Sequence, residues 1–151
     1  MFEKRLFAGW GDMDFNSHMR NTAFLDKAAD LRVMFFAEHG FPVDEFLRRK
    51  IGPVIRRDEL EYFKEVRLLE ELRVTLMIAG LAEDGSRFLI RNEFWRGDGK
   101  LAATVTSAGG WLELSLRKLV APPEALLAAL RLLPRTEDFQ TLPSNIKPGG
   151  A

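Results

Sequence analysis

The densest run of polar residues in this 151-residue chain is Gly11-Asp12-Met13-Asp14-Phe15-Asn16-Ser17-His18. Three chemistries compete for it. Asp12, Asp14 and Asn16 stand at the D-x-D-x-N spacing of a calcium loop. Such a loop needs Gly at its sixth position and Glu at its twelfth, and those positions hold Ser17 and Ala23. Zinc fares no better: the histidines are His18 and His39, there is no cysteine, and no H-E-x-x-H occurs. The third reading is a carboxylate placed just upstream of a helix. The first turn of a helix offers free N–H groups and a partial positive charge. Such groups polarise a carbonyl and hold an oxyanion, while a nearby carboxylate attacks that carbonyl or activates water against it. Asp next to a helix start is also ordinary capping chemistry, so on spacing alone both readings stand.

The helix this reading needs follows at once. Over 21–39, Phe24, Ala28, Leu31 and Phe35 recur on one face, and Leu25, Ala29 and Phe36 widen it. Asn21 reads as the N-cap and Gly40 as the C′ residue, with Pro42 beyond. Ahead of the polar run, 2–10 alternates weakly, as a strand does. After the basic stretch Arg48-Arg49-Lys50, the chain reads as strands: 52–63, then 72–81 with Leu72, Val74, Leu76 and Ile78 on one face, then 87–96 and 101–116. Glu83-Asp84-Gly85-Ser86 and Gly97-Asp98-Gly99-Lys100 read as turns. Gly109-Gly110 within a strand implies a bulge or a close backbone approach. Pro122-Pro123 starts a short helix over 124–133. The predicted organisation is a domain over 1–134 and an extended or loosely ordered tail over 135–151. One long helix with a curved antiparallel sheet is an α+β layout.

Lys+Arg and Asp+Glu both number 22, so the chain carries no formal net charge and lacks the basic surplus of a sequence-independent nucleic-acid binder. Without cysteine, disulfides, thiolate nucleophiles and iron–sulfur clusters are excluded. Glu3, Lys4 and Arg5 are followed by no apolar run, so no signal peptide is expected. The stretch 119–133 is broken by Pro122, Pro123, Glu124 and Arg131, so no membrane span is expected. The sequence expectation is a cytoplasmic protein.

The run Asp14-x-x-x-His18-x-x-Asn21-x-x-Phe24-Leu25-Asp26-x-x-x-Asp30-x-Arg32 resembles the signature of the hotdog-fold acyl-CoA thioesterases, and within them the branch related to 4-hydroxybenzoyl-CoA thioesterase. The strand order and the Pro-started last helix fit too, so the resemblance covers about 2–133. It implies a hotdog fold, a curved antiparallel sheet wrapped around one long central helix. It further implies hydrolysis of an acyl-CoA without metal or organic cofactor, and a homodimer or homotetramer. Two departures stand out. Ser17 replaces the usual Gly, where a positive φ strains a residue with a Cβ. Phe24 replaces the Tyr of many relatives.

By the resemblance, Asp14 is the catalytic carboxylate, as nucleophile or general base, and the backbone N–H at Asn21 polarises the thioester carbonyl. His18 matches the family's loop histidine, acting in catalysis or ordering the loop. Asp26 is a secondary carboxylate candidate, against pairing of Asp26 and Asp30 with Arg32 or Lys27. Glu59 and Glu61 face either site or solvent. Arg56, Arg57, Lys64 and Phe24 are the candidate substrate contacts; Arg48, Arg49, Lys50 and Lys118 are further cations available to CoA phosphates. Met34, Phe35 and Phe36 line an acyl wall or simply form core. A non-catalytic acyl-CoA or lipid-binding hotdog protein and a hotdog hydratase or dehydratase are the alternative functions.

Overall fold

The computed structural model describes residues 1–146. Strand β1 (Glu3–Phe7) and a 3-10 turn (Trp10–Asp12) lead to the long helix α1 (Asn21–Glu38) and the short helix α2 (Val43–Arg49). Then come β2 (Ile51–Tyr62), β3 (Glu71–Ala82), β4 (Arg87–Arg96), β5 (Leu101–Glu113), β6 (Lys118–Val120), α3 (Glu124–Leu132) and β7 (Arg135–Leu142). The strands form one curled sheet in the order β1-β3-β4-β5-β2, with β6 added to β5 and β7 added to β3. All pairs are antiparallel except β3 with β7. This is the α+β hotdog layout that the resemblance implied.

Alternation sets which face of the sheet meets α1. Leu72, Val74, Leu76 and Ile78 of β3 are buried, as are Phe88, Ile90 and Phe94 of β4. From α1, Phe24, Ala28, Leu31, Phe35 and Phe36 enter the same core. Each large apolar side chain so buried contributes about 1.5–3 kcal/mol, which fixes the helix rotation. The inward row of β4 has one polar member, Asn92, and α1 meets it with Arg32, whose Nε donates to Asn92 Oδ1 at 2.9 Å. The helix ends as the sequence predicts. Gly40 takes φ 87°, and the Phe41 N–H returns to the Phe36 carbonyl at 2.8 Å. Its start differs by one residue: Arg20 is the N-cap and Asn21 the first helical residue.

The two glycines mark a close approach. A Cβ on Gly109 would lie 2.2 Å from the Val54 carbonyl oxygen, and the β2–β5 register slips beside it, between Ile55 and Arg57. Strand β2 pairs on one side only, with β5, so its other edge is free among the described residues.

Arg48 and Arg49 of the basic stretch close helix α2, where both bond to Glu45. Beyond 134, where the sequence predicts an extended or loosely ordered tail, the chain is extended over 135–142 as β7, parallel to β3 with Gly80 opposite Gln140 and Ala82 opposite Leu142. Past β7, Asn145 is still held, accepting from Arg87 Nε at 2.6 Å and donating to the Ser86 carbonyl at 2.8 Å. The expected tail's last part, 147–151, falls outside the described residues. Among the described residues no helix is long and apolar enough to cross a membrane.

Candidate active site

The polar run before α1 folds back on itself. Met13 and Met19 pair as an isolated bridge, and the Asp14 N–H donates to the His18 carbonyl at 2.7 Å. Inside this loop, Asp14 Oδ1 accepts the N–H groups of Asn16 at 2.8 Å and His18 at 3.1 Å. Oδ2 has no hydrogen-bond partner among the described residues. The bonds from the His18 and Asn16 N–H groups hold the Asp14 carboxyl below its ordinary value, so it is ionised at neutral pH. The turn needs a left-handed residue at its tip, and Ser17 supplies it with φ 65°. Ser17 thus holds a Cβ at a positive φ, with the strain in the backbone.

Asp12 anchors the loop from the other side. Its Oδ2 accepts the Gly9 N–H at 2.7 Å and lies 2.9 Å from Lys27 Nζ on α1. Burial raises its pKa, but the Gly9 N–H, Lys27 and Arg20 outweigh burial and lower it. Asp12 thus ties the loop to the helix rather than facing a substrate.

The free donors of the helix start lie beside Asp14. The N-cap Arg20 has no capping side-chain bond; its guanidinium goes to the Gly11 carbonyl, Thr22 Oγ1 and Asp26. The Asn21 N–H finds no acceptor among the described residues, as the first N–H groups of an uncapped helix do not. The Asn21 carbonyl accepts the Tyr62 hydroxyl at 3.1 Å. Asp14, His18, Asn21, Phe24, Tyr62 and Lys64 share the wall of one open cleft of about 320 Å³. His18 docks against the loop between β2 and β3 that completes it, bridging to Arg67, with Nε2 3.1 Å from Glu65 Oε2. Met19 is fixed there by its N–H on the Val66 carbonyl at 2.8 Å.

Of the residues singled out in the sequence, then, Asp14, His18, Asn21, Phe24 and Lys64 meet. Arg56 and Arg57 do not: they line a separate cavity of about 510 Å³ with Arg87, beside the β2 bulge. Asp26, 69% exposed, pairs with Arg20 outside the cleft, and Glu59 and Glu61 are exposed on β2. Tyr62 was missed. It is the chain's one tyrosine, it packs edge-on against Phe24 at 5.6 Å, and it brings a phenol to a cleft in which Phe24 has none. Among the described residues no group of His, Asp or Glu is disposed to hold a metal ion.

A second cavity, about 370 Å³, lies further along the same two elements. Helix α1 and strand β2 run in opposite directions, so Asn21 stands near Tyr62, while Arg32, Val33 and Phe36 stand near residues 51–55. Its wall is apolar except at Arg32.

Residues 8–130 match the family model of the thioesterase-like superfamily, and the chain belongs to that superfamily. Solved structures agree in fold. A Staphylococcus aureus hypothetical protein in complex with CoA is 20% identical, with TM-score 0.80, over 99% of this chain and 90% of that one. A 1,4-dihydroxy-2-naphthoyl-CoA thioesterase from Synechocystis is 16% identical, with TM-score 0.78, over 87% and 96% of the two chains. A gentisyl-coenzyme A thioesterase is 17% identical, with TM-score 0.75, over 85% and 98%. A sequence search of curated proteins gives no match.

Proposed function

We propose that the protein hydrolyses acyl-CoA thioesters, with Asp14 as the reacting carboxylate. One observation carries the reading: an ionised carboxylate with one free oxygen shares a cleft with the uncapped first turn of α1. Membership of the thioesterase-like superfamily supports it, as does the fold it shares with a CoA-bound relative.

In this reading the thioester oxygen accepts the Asn21 N–H, where the helix end favours developing negative charge. Asp14 then acts in one of two ways. As nucleophile, Oδ2 bonds to the acyl carbon, the C–S bond breaks, CoA leaves as thiolate, and water cleaves the resulting anhydride. As general base, Oδ2 takes the proton of a water whose oxygen bonds to the acyl carbon, and CoA again leaves with the C–S electron pair. Either way the bonds from Asn16 and His18 hold Oδ1, which leaves Oδ2 to react. His18 keeps Asp14 in place through its backbone, and Lys64 lies at the cleft to meet CoA phosphate. The free β2 edge is the surface on which two copies pair into a continuous sheet, giving a homodimer at least.

Thiol release from aromatic and aliphatic acyl-CoAs tests the activity. In a single turnover in ¹⁸O-water, label in Asp14 marks the nucleophile; where the label is in the acid alone, hydroxylamine trapping of an Asp14 anhydride as a hydroxamate marks the nucleophile and its absence the base. No release from any thioester overturns the reading.

A further inference from the structure

Strand β5 carries almost no side chain at two positions where its neighbours carry arginines. Phe88 and Ile90 of β4 are buried against the core, so Arg87 and Leu89 face the other side of the sheet, away from α1. On that face Ala108 stands between Arg57 of β2 and Leu89, and Gly110 between Val54 of β2 and Arg87. The missing volume is the cavity of about 510 Å³ beside the β2 bulge, which shares no lining residue with the Asp14 cleft. Two local devices place cations on its wall. At the slip between Ile55 and Arg57, two residues of β2 oppose one of β5, so the consecutive Arg56 and Arg57 both line the cavity, which strict alternation would forbid. Across the hollow Arg87 is clamped: its Nε donates to Asn145 Oδ1 at 2.6 Å. Asn145 is held in turn by its N–H on Ser86 Oγ and its Nδ2 on the Ser86 carbonyl, both at 2.8 Å. A Cβ on Gly110 would lie 2.8 Å from Asn145 Nδ2, so that glycine keeps room for the clamp. Both Nη groups of Arg87 are left without a partner among the described residues.

No Asp or Glu lines this cavity. Arg56 and Arg87 form no ion pair among the described residues, and Arg57 forms a loose one, its Nη2 3.9 Å from Glu59 Oε2. Elsewhere guanidiniums are closely matched, as Arg48 and Arg49 are by Glu45 and Arg91 is by Asp138. Three cations gathered round one hollow repel each other, and an anion between them reverses the sign of that interaction. Several oxygens sharing two or more charges suit three guanidinium forks better than a single carboxylate does. The rest of the wall includes Leu89, Leu119 and Leu142, which give an organic group apolar contact. We infer that this hollow binds a phosphorylated small molecule, with its phosphates on Arg56, Arg57 and Arg87 and its organic part against the leucines. The phosphorylated nucleotide end of CoA and a free nucleotide both carry that chemistry.

Calorimetric titration of the full chain with ADP and with CoA is the test. ADP is expected to bind with a Kd of about 1 mM or below at low salt, and more weakly as salt is raised. Arg87→Gln is expected to raise that Kd by about tenfold or more, the scale of a lost charge-assisted pair. Arg56→Gln combined with Arg57→Gln, both at exposed positions that folding tolerates, is expected to do the same. Arg5→Gln removes an exposed cation far from the hollow and is expected to leave the Kd unchanged. Absence of ADP binding overturns the inference, as does a Kd unmoved by both arginine variants or raised equally by Arg5→Gln. Displacement of ADP by CoA, with the same loss in the arginine variants, assigns the site to the CoA end. ADP that stays bound beside saturating CoA assigns it to a free nucleotide. Thiol release enters none of these readouts, so the thioesterase reading and this one fail separately.

Discussion

Asp14 and His18 are joined by two hydrogen bonds that cross the loop between them in opposite senses. The Asp14 N–H reaches the His18 carbonyl at 2.7 Å, and the His18 N–H reaches Asp14 Oδ1 at 3.1 Å. The carboxylate is therefore aimed by backbone, not by another side chain. Asp14→Asn keeps an oxygen that accepts these N–H groups but removes the charge. We expect kcat/KM to fall by about a hundredfold or more with an unchanged far-ultraviolet circular dichroism spectrum. A His18 variant loses only the partly exposed contact with Glu65, worth no more than about 1 kcal/mol, and retains most activity in the same assay.

The same two bonds set a pH dependence. The Asp14 carboxyl titrates below its ordinary value of 3.8, and the proposed reaction requires it ionised. Its share of loop stability is present above the unfolded value and is lost as pH falls through the lower, folded one. The acid limb of kcat/KM therefore lies below 3.8, with no loss on acidification from neutrality to about pH 5. A pH–rate profile with an acid limb near 6 would assign that limb to another group.

Tyr62 holds the helix start through its hydroxyl on the Asn21 carbonyl, while its ring rests on Phe24. Tyr62→Phe removes the first contact and leaves the second. The expected cost is about 1 kcal/mol of stability and a fall of up to about tenfold in kcat, with KM little changed, measured by steady-state kinetics and urea unfolding.

Ser17 sits at φ 65°, where a Cβ is crowded by its own backbone. Glycine relieves that strain but gains freedom in the unfolded chain, so only part of the relief remains. Ser17→Gly is expected to stabilise the protein by about 0.5–1 kcal/mol, seen as a Tm increase of about 1–4 °C.

Gly109 presents the opposite case. Its Cβ would strike the Val54 carbonyl, a backbone atom that cannot rotate away. Gly109→Ala is expected to cost about 3 kcal/mol and to loosen β2 against β5, which hydrogen exchange at residues 51–62 would register.

The parts legible in the sequence are those written within one short segment. Asp14, His18 and Asn21 belong to a single loop and helix start, so one short motif, read through its resemblance to the family, describes half the cleft. The turns at 83–86 and 97–100 connect β3 to β4 and β4 to β5 as their Gly and Asp residues predict. Tyr62 has no such local sign, because it reaches the cleft only through the pairing of β2 with β5, Tyr62 opposite Ala103. Arg56 and Arg57 are turned to another cavity at the slip between Ile55 and Arg57, which an alternation count cannot anticipate. Helix α2 is too short for a periodic signature, and its cations read as free for a phosphate while bonding to Glu45 within the helix. Strand β7 is polar, RTEDFQTL, and owes its conformation to backbone bonds with β3 and to Asp138 on Arg91 at 3.0 Å.

Strand β3 has a bearing on how the molecule is made. One of its edges is covered in two halves, residues 71–75 by β1 and residues 78–82 by β7. The first cover is synthesised before β3 and waits for it; the second follows some fifty residues after β3 has left the ribosome. Until β7 arrives, the half of β3 beyond Thr75 is an unprotected strand edge. A nascent chain paused or broken before residue 135 is thus the form of this protein most exposed to aggregation and to chaperone capture.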